Sequence, residues 1–416
     1  MLDDTLLDDP AALRRADHDR ALLALAGAGA RVRTALRQAE AAGLDRLRPD
    51  GRPRAVLVAG HGSALTAAEM LSALAGTASL ITVVPPTEAA APRADRAGAP
   101  PAFTAGLGWQ LPGWAGPLDL LVISSADGGE RGLVGLAEQA YARGCAIVVT
   151  APAGSALAEA ALQVRALPLP FVASVLSEEP APVAAAEPDL PAEDPAALWS
   201  HLTPLLALAQ KIGLTQLPYD ALPAVADLLD ATAVRCRPDA AAYTNPAKGL
   251  AARLAGTVPL LWAEGPIAGA AASRFAAQLA DRAGRPALAG PLPQVLTAHR
   301  GMFTGQLGAG ADPDDFFRDR VEEPDPLHLQ VLLLRHAPGA AGPAAEGEQD
   351  GPAEVPEEDA GPRSFGVARA HRLAAAHDVR LTEYASTRPD ALHALADLVA
   401  LTDFAAVYLG LAAAQV

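Results

Sequence analysis

Cysteine is scarce in this 416-residue chain: Cys145 and Cys236 are the only two. Two thiols make neither a disulfide framework nor a thiolate zinc site. With no secretory leader at Met1-Leu2-Asp3-Asp4, the expectation is a cytoplasmic protein. Positive charge is also short. Lys plus Arg is 32 against 48 Asp plus Glu, a net charge of −16. A chain this acidic is a poor partner for nucleic acid or for an anionic membrane surface. Long apolar runs are missing as well: Ala142 to Val149, interrupted by Arg143, falls far short of a bilayer span, so no membrane partner is expected. Aromatic residues are only 4% beside abundant Ala, Gly and Pro, a compositional bias without functional content. No Walker A string and no Gly-x-Ser-x-Gly occur, and Gly106-Leu107-Gly108 and Gly308-Ala309-Gly310 are lone glycine pairs. His371 and His377 stand six apart, a poor metal spacing on one helix.

What is present is apolar: 51% of residues are hydrophobic and 19% charged, enough to bury a core and too many residues for one. The stretch from Pro10 to Ala42 has helical spacing, entered through Asp8-Asp9-Pro10. Short apolar runs at Arg54–Gly60, Ser79–Val84, Leu118–Ser124 and Cys145–Thr150 alternate with helix-patterned segments. A second alternating block carries strands at Val258–Glu264, Leu329–Leu334 and Val379–Tyr384, helices at Pro246–Ala255 and Ala268–Ala283, and a closing apolar helix over Ala391–Ala414. Such alternation predicts parallel sheets covered on both faces, with ligands at the carboxyl ends of the strands. The two blocks are candidates for a duplicated domain.

Ser177 to Pro195 is rich in Pro, Ala and Glu and reads as a linker. His336 to Gly366 has too few large apolar groups to order itself and is expected to be a mobile insert. The resulting plan is an N-terminal helical segment over 1–44, a first α/β domain over 45–175, a linker over 176–197, connecting helices over 198–240, and a second α/β domain over 241–416 with a disordered insert at 337–366.

Two turns resemble those of sugar isomerase (SIS) domains: Ala59-Gly60-His61-Gly62-Ser63-Ala64 and Ser125-Ala126-Asp127-Gly128-Gly129-Glu130. Four segments in order then resemble bifunctional phosphoglucose/phosphomannose isomerases. They are Asn245-Pro246-Ala247-Lys248-Gly249-Leu250-Ala251, Arg274-Phe275 through Gln278, Leu292-Pro293-Gln294, and Asp403-Phe404 through Tyr408-Leu409. The resemblance implies two SIS domains, each a doubly wound, flavodoxin-like parallel-sheet sandwich, with added N- and C-terminal helices. It implies aldose–ketose isomerisation of a sugar phosphate by proton transfer, with no metal or other cofactor, in a homodimer.

Carried over position by position, the resemblance places Gly62, Ser63, Ser125, Asp127 and Gly128 at the substrate, Asp281 in the place of the catalytic glutamate, and His299 near that of the ring-opening histidine. Lys248, a rare lysine in an arginine-biased chain, is a further substrate-binding candidate; the family motif offers a structural role at the domain junction as the alternative. His61 projects from the first turn, where it could bind an anion or act as acid or base. Several positions depart from the family. Asp127 stands for a serine, Gly129 and Glu130 for an asparagine and a threonine, and Asp281 is one methylene shorter than glutamate. A carboxylate about 4 Å from a phosphate costs roughly 4 kcal/mol at an effective dielectric near 20. The family's final helix, with its threonine and lysine, has no counterpart before Val416, and no arginine occurs in Pro168–Ser174. Two functions therefore stand side by side. One is a sugar-phosphate isomerase; the other is a non-catalytic SIS protein, regulatory or scaffolding, that binds a sugar phosphate or a protein. Weakened or lost catalysis is the expectation. On the structural side, Asp127 reads as a helix N-cap and Asp281–Arg282 as an exposed helix surface.

Overall fold

Fully apolar five-residue strands can be buried on both faces only in a parallel sheet flanked by helices, and two such sheets organise the chain. The computed structural model describes residues 4–44, 51–88, 106–173, 193–305, 307, 327–338, 353–354 and 364–413. The chain divides into a first unit, Gly27–Ala226, and a second unit, Met1–Ala26 with Asp227–Val416. The expected N-terminal helical segment is therefore shared out: α1 (Asp4–Leu7), α2 (Pro10–Ala16) and α3 (Ala21–Ala26) belong to the second unit, and α4 (Ala28–Ala41) to the first. The continuous helical spacing is broken between α2 and α3, where Arg20 takes φ +53° and the Asp17 carboxylate accepts from the Ala21 and Leu22 N–H groups. Those two bonds cap α3 from within the sequence that looked uniformly helical.

In the first unit the chain runs β1 (Ala55–Ala59), α5 (Ser63–Ala75), β2 (Leu80–Val84), the short hairpin β3 (Thr87–Glu88) and β4 (Leu107–Gly108), β5 (Leu120–Ser124), α6 (Arg131–Ala142), β6 (Ala146–Ala151), α7 (Ala156–Gln163), β7 (Leu167–Pro170), α8 (Ala197–Lys211) and the start of α9 (Ala221–Arg235). The main sheet has the order β2-β1-β5-β6-β7 and is parallel throughout. Leu57, Ile123, Leu133, Leu136, Ile147 and Val149 form the centre of its core. At the amino edge Arg54 donates to both oxygens of Asp119, fastening the entry of β1 to that of β5. The strand β7 escaped the sequence reading because two of its four residues are proline. Proline is confined to sheet edges, and β7 is the edge.

The second unit continues with α10 (Pro246–Leu254), β8 (Thr257–Glu264), α11 (Gly265–Ala283), β9 (Leu288–Pro291), α12 (Val295–Ala298), β10 (His328–His336), β11 (Ala353–Glu354), α13 (Phe365–Ala376), β12 (Arg380–Ser386) and α14 (Ala391–Ala413). Its sheet has the order β9-β8-β10-β12-β11, parallel except for β11, which pairs antiparallel with β12. The four parallel strands repeat the order of the first four in the other unit, as a repeated α/β domain would. Part of the expected insert is structured: Ala353–Glu354 adds a strand at Tyr384–Ala385, and α13 starts at Phe365. Residues 339–352 and 355–363, like linker residues 176–192, lie outside the described residues.

The helix α14 corrects one expectation. Its 23 residues and mean hydropathy of 1.7 suffice to cross a membrane, but 89% of that stretch is buried inside the protein. It is apolar on most sides because neighbouring elements cover it, as in a core helix. Two buried charges cross this core. The Arg274 guanidinium on α11 donates to both Asp403 oxygens on α14 at 2.8–3.0 Å, each side chain 2% exposed. The segments that carried the family resemblance at these positions therefore meet in a structural clamp. Breaking a buried pair leaves an uncompensated charge, whereas replacing both partners by apolar groups does not. Asp403→Ala is expected to lower the unfolding free energy by about 3–5 kcal/mol, and Arg274→Met with Asp403→Leu by far less. Denaturant unfolding of the three proteins checks this, and equal losses would remove the clamp from the account.

Candidate active-site crevice

In an open parallel sheet the ligand crevice lies outside the carboxyl ends of the strands, where the strand order switches direction. In the first unit that point lies between β1 and β5. The turn leaving β1 carries Gly60, His61, Gly62 and Ser63; the turn leaving β5 carries Ser125 to Glu130. The structure thus brings together Gly62 and Ser63 on one turn and Ser125, Asp127 and Gly128 on the other.

The first turn ends at the N-terminus of α5, where free N–H groups and the helix dipole favour an anion. An anion is there, and it belongs to the protein. The Glu193 carboxylate accepts from the Ser63 N–H at 2.9 and 3.1 Å and from the Ser63 hydroxyl at 2.8 Å. Gly62 has φ +56°, and a Cβ there would lie 2.9 Å from a Glu193 oxygen. Glycine is required for the turn and for the approach of the carboxylate. Next to Glu193, Asp194 pairs with Arg31 at 2.5 Å. This end of the expected linker is therefore fixed. Sequence reasoning missed Glu193 because nothing in a Pro/Ala/Glu-rich stretch signals a partner 130 residues away.

The second turn is closed in the same manner. The buried Ser125 hydroxyl donates to both Glu130 oxygens at 2.8 and 2.7 Å and accepts from the Gly128 and Asp127 N–H groups at 2.6 and 3.2 Å. Glu130 is completely buried and also meets the His61 Nε2 at 2.9 Å. The chain Ser125–Glu130–His61 was not foreseen, although each residue was singled out. Burial alone would raise the Glu130 carboxyl, but the hydrogen bonds from His61 and Ser125 outweigh it and hold it below the usual range. The Glu130 bond raises the His61 imidazole above its ordinary value against desolvation, with Glu193 and Asp127 adding to the rise. Glu130 thus fixes the orientation of His61 and favours its charged form, as a carboxylate behind a working histidine does. Below them, the His201 Nδ1 meets the Ser124 hydroxyl at 2.7 Å, and complete burial pushes the His201 imidazole down to about 3.

Asp127 does not cap a helix. The helix α6 starts at Arg131 with Glu130 in the cap position, and Asp127 is exposed. Gly128 is a structural requirement: φ is +71°, and a Cβ would fall 2.3 Å from the Ser155 hydroxyl oxygen.

In the second unit Lys248 requires a correction. It has no exposure, and its ammonium donates to the Pro238 and Ala240 carbonyls at 2.7 Å each. The Asn-Pro-Ala-Lys segment is a helix start: Asn245 accepts from the Ala247 and Lys248 N–H groups, and Pro246 occupies the first turn. Lys248 is a buried structural cation, closed to a ligand. Asp281 is exposed and pairs with Arg282 at 2.9 Å. It lies 16 residues into α11, about 24 Å along the helix from the carboxyl end of β8. His299 is half-buried and accepts from the Trp262 indole N–H at 3.0 Å, and desolvation lowers its imidazole. The unit's own carboxyl edge holds an unforeseen cluster. Arg335 on β10 donates to Glu264 on β8 at 2.6 Å and to Glu383 on β12 at 2.9 Å, while His371 on α13 hydrogen-bonds Glu383. Its members come from four elements with no common motif. Among the described residues no group of three or more His, Cys, Asp or Glu could hold a metal.

The family model of the bacterial phospho-glucose isomerase C-terminal SIS domain matches residues 243–338. A hypothetical protein from Thermus thermophilus has a similar solved structure, with 13% identity over 98% of this chain and 89% of that one, TM-score 0.54. The C-terminal domain of glucosamine-fructose-6-phosphate aminotransferase from Francisella tularensis is similar at 8% identity over 95% and 96% of the two chains, TM-score 0.51. A glucose-6-phosphate isomerase like protein, also from Thermus thermophilus, shares 17% identity over 91% and 88%, at a TM-score of 0.42. At these identities the likeness concerns the fold. No curated protein sequence matches the chain.

The His61–Glu130 pair generates a pH dependence whose sign follows from linkage. A raised histidine contributes stability that is fully present below 6.5 and lost as pH rises through the folded value. A lowered glutamate contributes stability present above 4.5 and lost as pH falls through its folded value. The stability difference between the native protein and His61→Gln is therefore expected to be largest between those two values and to shrink on both sides. A proton NMR titration of His61 should show a midpoint above 6.5 that falls in Glu130→Gln; a midpoint at or below 6.5 in the native protein contradicts the assignment.

Proposed function

We propose, from the match of residues 243–338 to the family model of the bacterial phospho-glucose isomerase C-terminal SIS domain, that the protein binds sugar phosphates with its aldose–ketose isomerisation weakened or lost. One observation carries this reading: the two serine hydroxyls at the first crevice already donate to the protein's own carboxylates, Ser63 to Glu193 and Ser125 to Glu130. An entering phosphate has to displace Glu193 from the start of α5 and lie near the charge of Glu130. A like-charge pair at about 4 Å costs roughly 4 kcal/mol at an effective dielectric near 20. His61, favoured in its charged form, offsets part of that cost. Proton transfer is poorly supported by the second unit, where Asp281 is tied to Arg282 and exposed. A misplaced base commonly costs about a hundredfold in rate. An active isomerase is the second reading, and the Glu130-backed His61 favours it as a source of acid–base chemistry.

Fructose 6-phosphate, glucose 6-phosphate and mannose 6-phosphate should each be titrated by thermal shift beside a coupled isomerase assay, on the native protein and on Glu193→Gln. Ligand at about a hundred times its dissociation constant adds roughly 2.7 kcal/mol to stability. The expected outcome is weak stabilisation of the native protein, binding at least about tenfold tighter in Glu193→Gln, and little or no turnover in either. Fast turnover by the native protein would select the isomerase. Absence of any shift in both proteins would end the sugar-phosphate reading.

A further inference from the structure

A cleft of about 680 Å³ opens between α12 and α13 in the second unit. That volume lies in the range of small-molecule sites. Two arginines of α13, Arg369 and Arg372, line it together with Gln294 and Thr297 from the facing wall. The residues beneath are fixed: Val295 of α12 and Val367 and Ala370 of α13 belong to one buried core cluster, and Leu373 packs against it. The walls are therefore held apart by the core and do not depend on the exposed side chains.

The charge at this cleft is unbalanced. Arg274 and Arg335 each have carboxylate partners. Among the described residues neither Arg369 nor Arg372 has a carboxylate within ion-pair distance, although the chain carries a net charge of −16. Cations three residues apart on a helix are neighbours and repel each other. An anion accepted by both guanidiniums turns that repulsion into attraction, and the planar fork of arginine suits phosphate oxygens. An aromatic ring stands at the same end. Phe365 is 73% exposed, and the Arg369 guanidinium lies 5.8 Å from its centroid. A ring this open offers a stacking face beside the charge. The Gln294 amide and Thr297 hydroxyl supply neutral donors and acceptors opposite.

We propose that this cleft binds an organic phosphate with a planar aromatic body, of the nucleoside monophosphate class, with its phosphate on Arg369 and Arg372 and its ring system against Phe365. The site shares no residue with the β1/β5 crevice, so it stands or falls independently of the sugar-phosphate reading.

Isothermal titration of the full chain with AMP, adenosine, inorganic phosphate and glucose 6-phosphate tests it. AMP is expected to bind about tenfold or more tightly than adenosine or inorganic phosphate, since only AMP engages both the arginines and the ring. Arg369→Gln with Arg372→Gln should weaken AMP by about tenfold or more, and Phe365→Ala should weaken AMP while leaving inorganic phosphate unchanged. All three side chains are exposed, so melting by circular dichroism should match the native protein. Absence of AMP binding, or AMP binding unchanged in the double arginine variant, overturns the proposal. Glucose 6-phosphate binding as tightly as AMP, and lost with the arginines, overturns the assignment of a planar body.

Discussion

A parallel sheet sends every strand into a helix start at the same edge, so unpaired N–H groups and helix dipoles accumulate there and require negative charge. In the first unit that requirement is met from inside the chain. Glu193 fills the start of α5, and Glu130, sealed from solvent, takes the Ser125 hydroxyl and orients His61. The crevice keeps the donors that suit a phosphate while supplying its own acceptors. Whatever binds there competes with an intramolecular carboxylate that carries no association entropy. This is a physical basis for weak binding beyond the exchange of a serine for Asp127.

The second unit answers the same geometry differently. Its carboxyl edge holds Arg335 between Glu264 and Glu383, with His371 on the second carboxylate. Positive charge there is neutralised within the protein, whereas Arg369 and Arg372 on α13 face a cleft instead. The long helix α14 belongs to the same unit. It lies in the core, clamped to α11 through Asp403 and Arg274, and its Tyr408 hydroxyl donates to the Cys236 carbonyl at 2.6 Å. Four segments resembled an isomerase in sequence. Three of them, around Lys248, Arg274 and Asp403, preserve packing and capping, and say nothing direct about catalysis.

Much of the fold was legible. Apolar runs ending in glycine-rich turns located the central strands β1, β5 and β8, because a strand buried on both faces must be continuously hydrophobic. The edge strands β7 and β9 were not legible, since edges tolerate proline and short apolar content. Boundaries also shifted where caps intervened, as at Asp17 before α3 and at Glu130 before α6. For the crevice, Gly62, Ser63, Ser125 and Gly128 were readable from their turns. Glu193 was hidden in a segment classed as linker by its composition.

The sequence by itself determined the α/β class, the two alternating blocks and the turns at the strand ends, because each follows from local pattern. Only the tertiary structure decided that Lys248 is sealed beneath carbonyls, that Asp281 is tied to Arg282 away from its sheet's carboxyl edge, and that Glu130 and Glu193 occupy the serine donors. The reason is that burial and partnership depend on residues far apart in the chain. A carboxylate reads the same in sequence whether it faces water or fills the place of a phosphate.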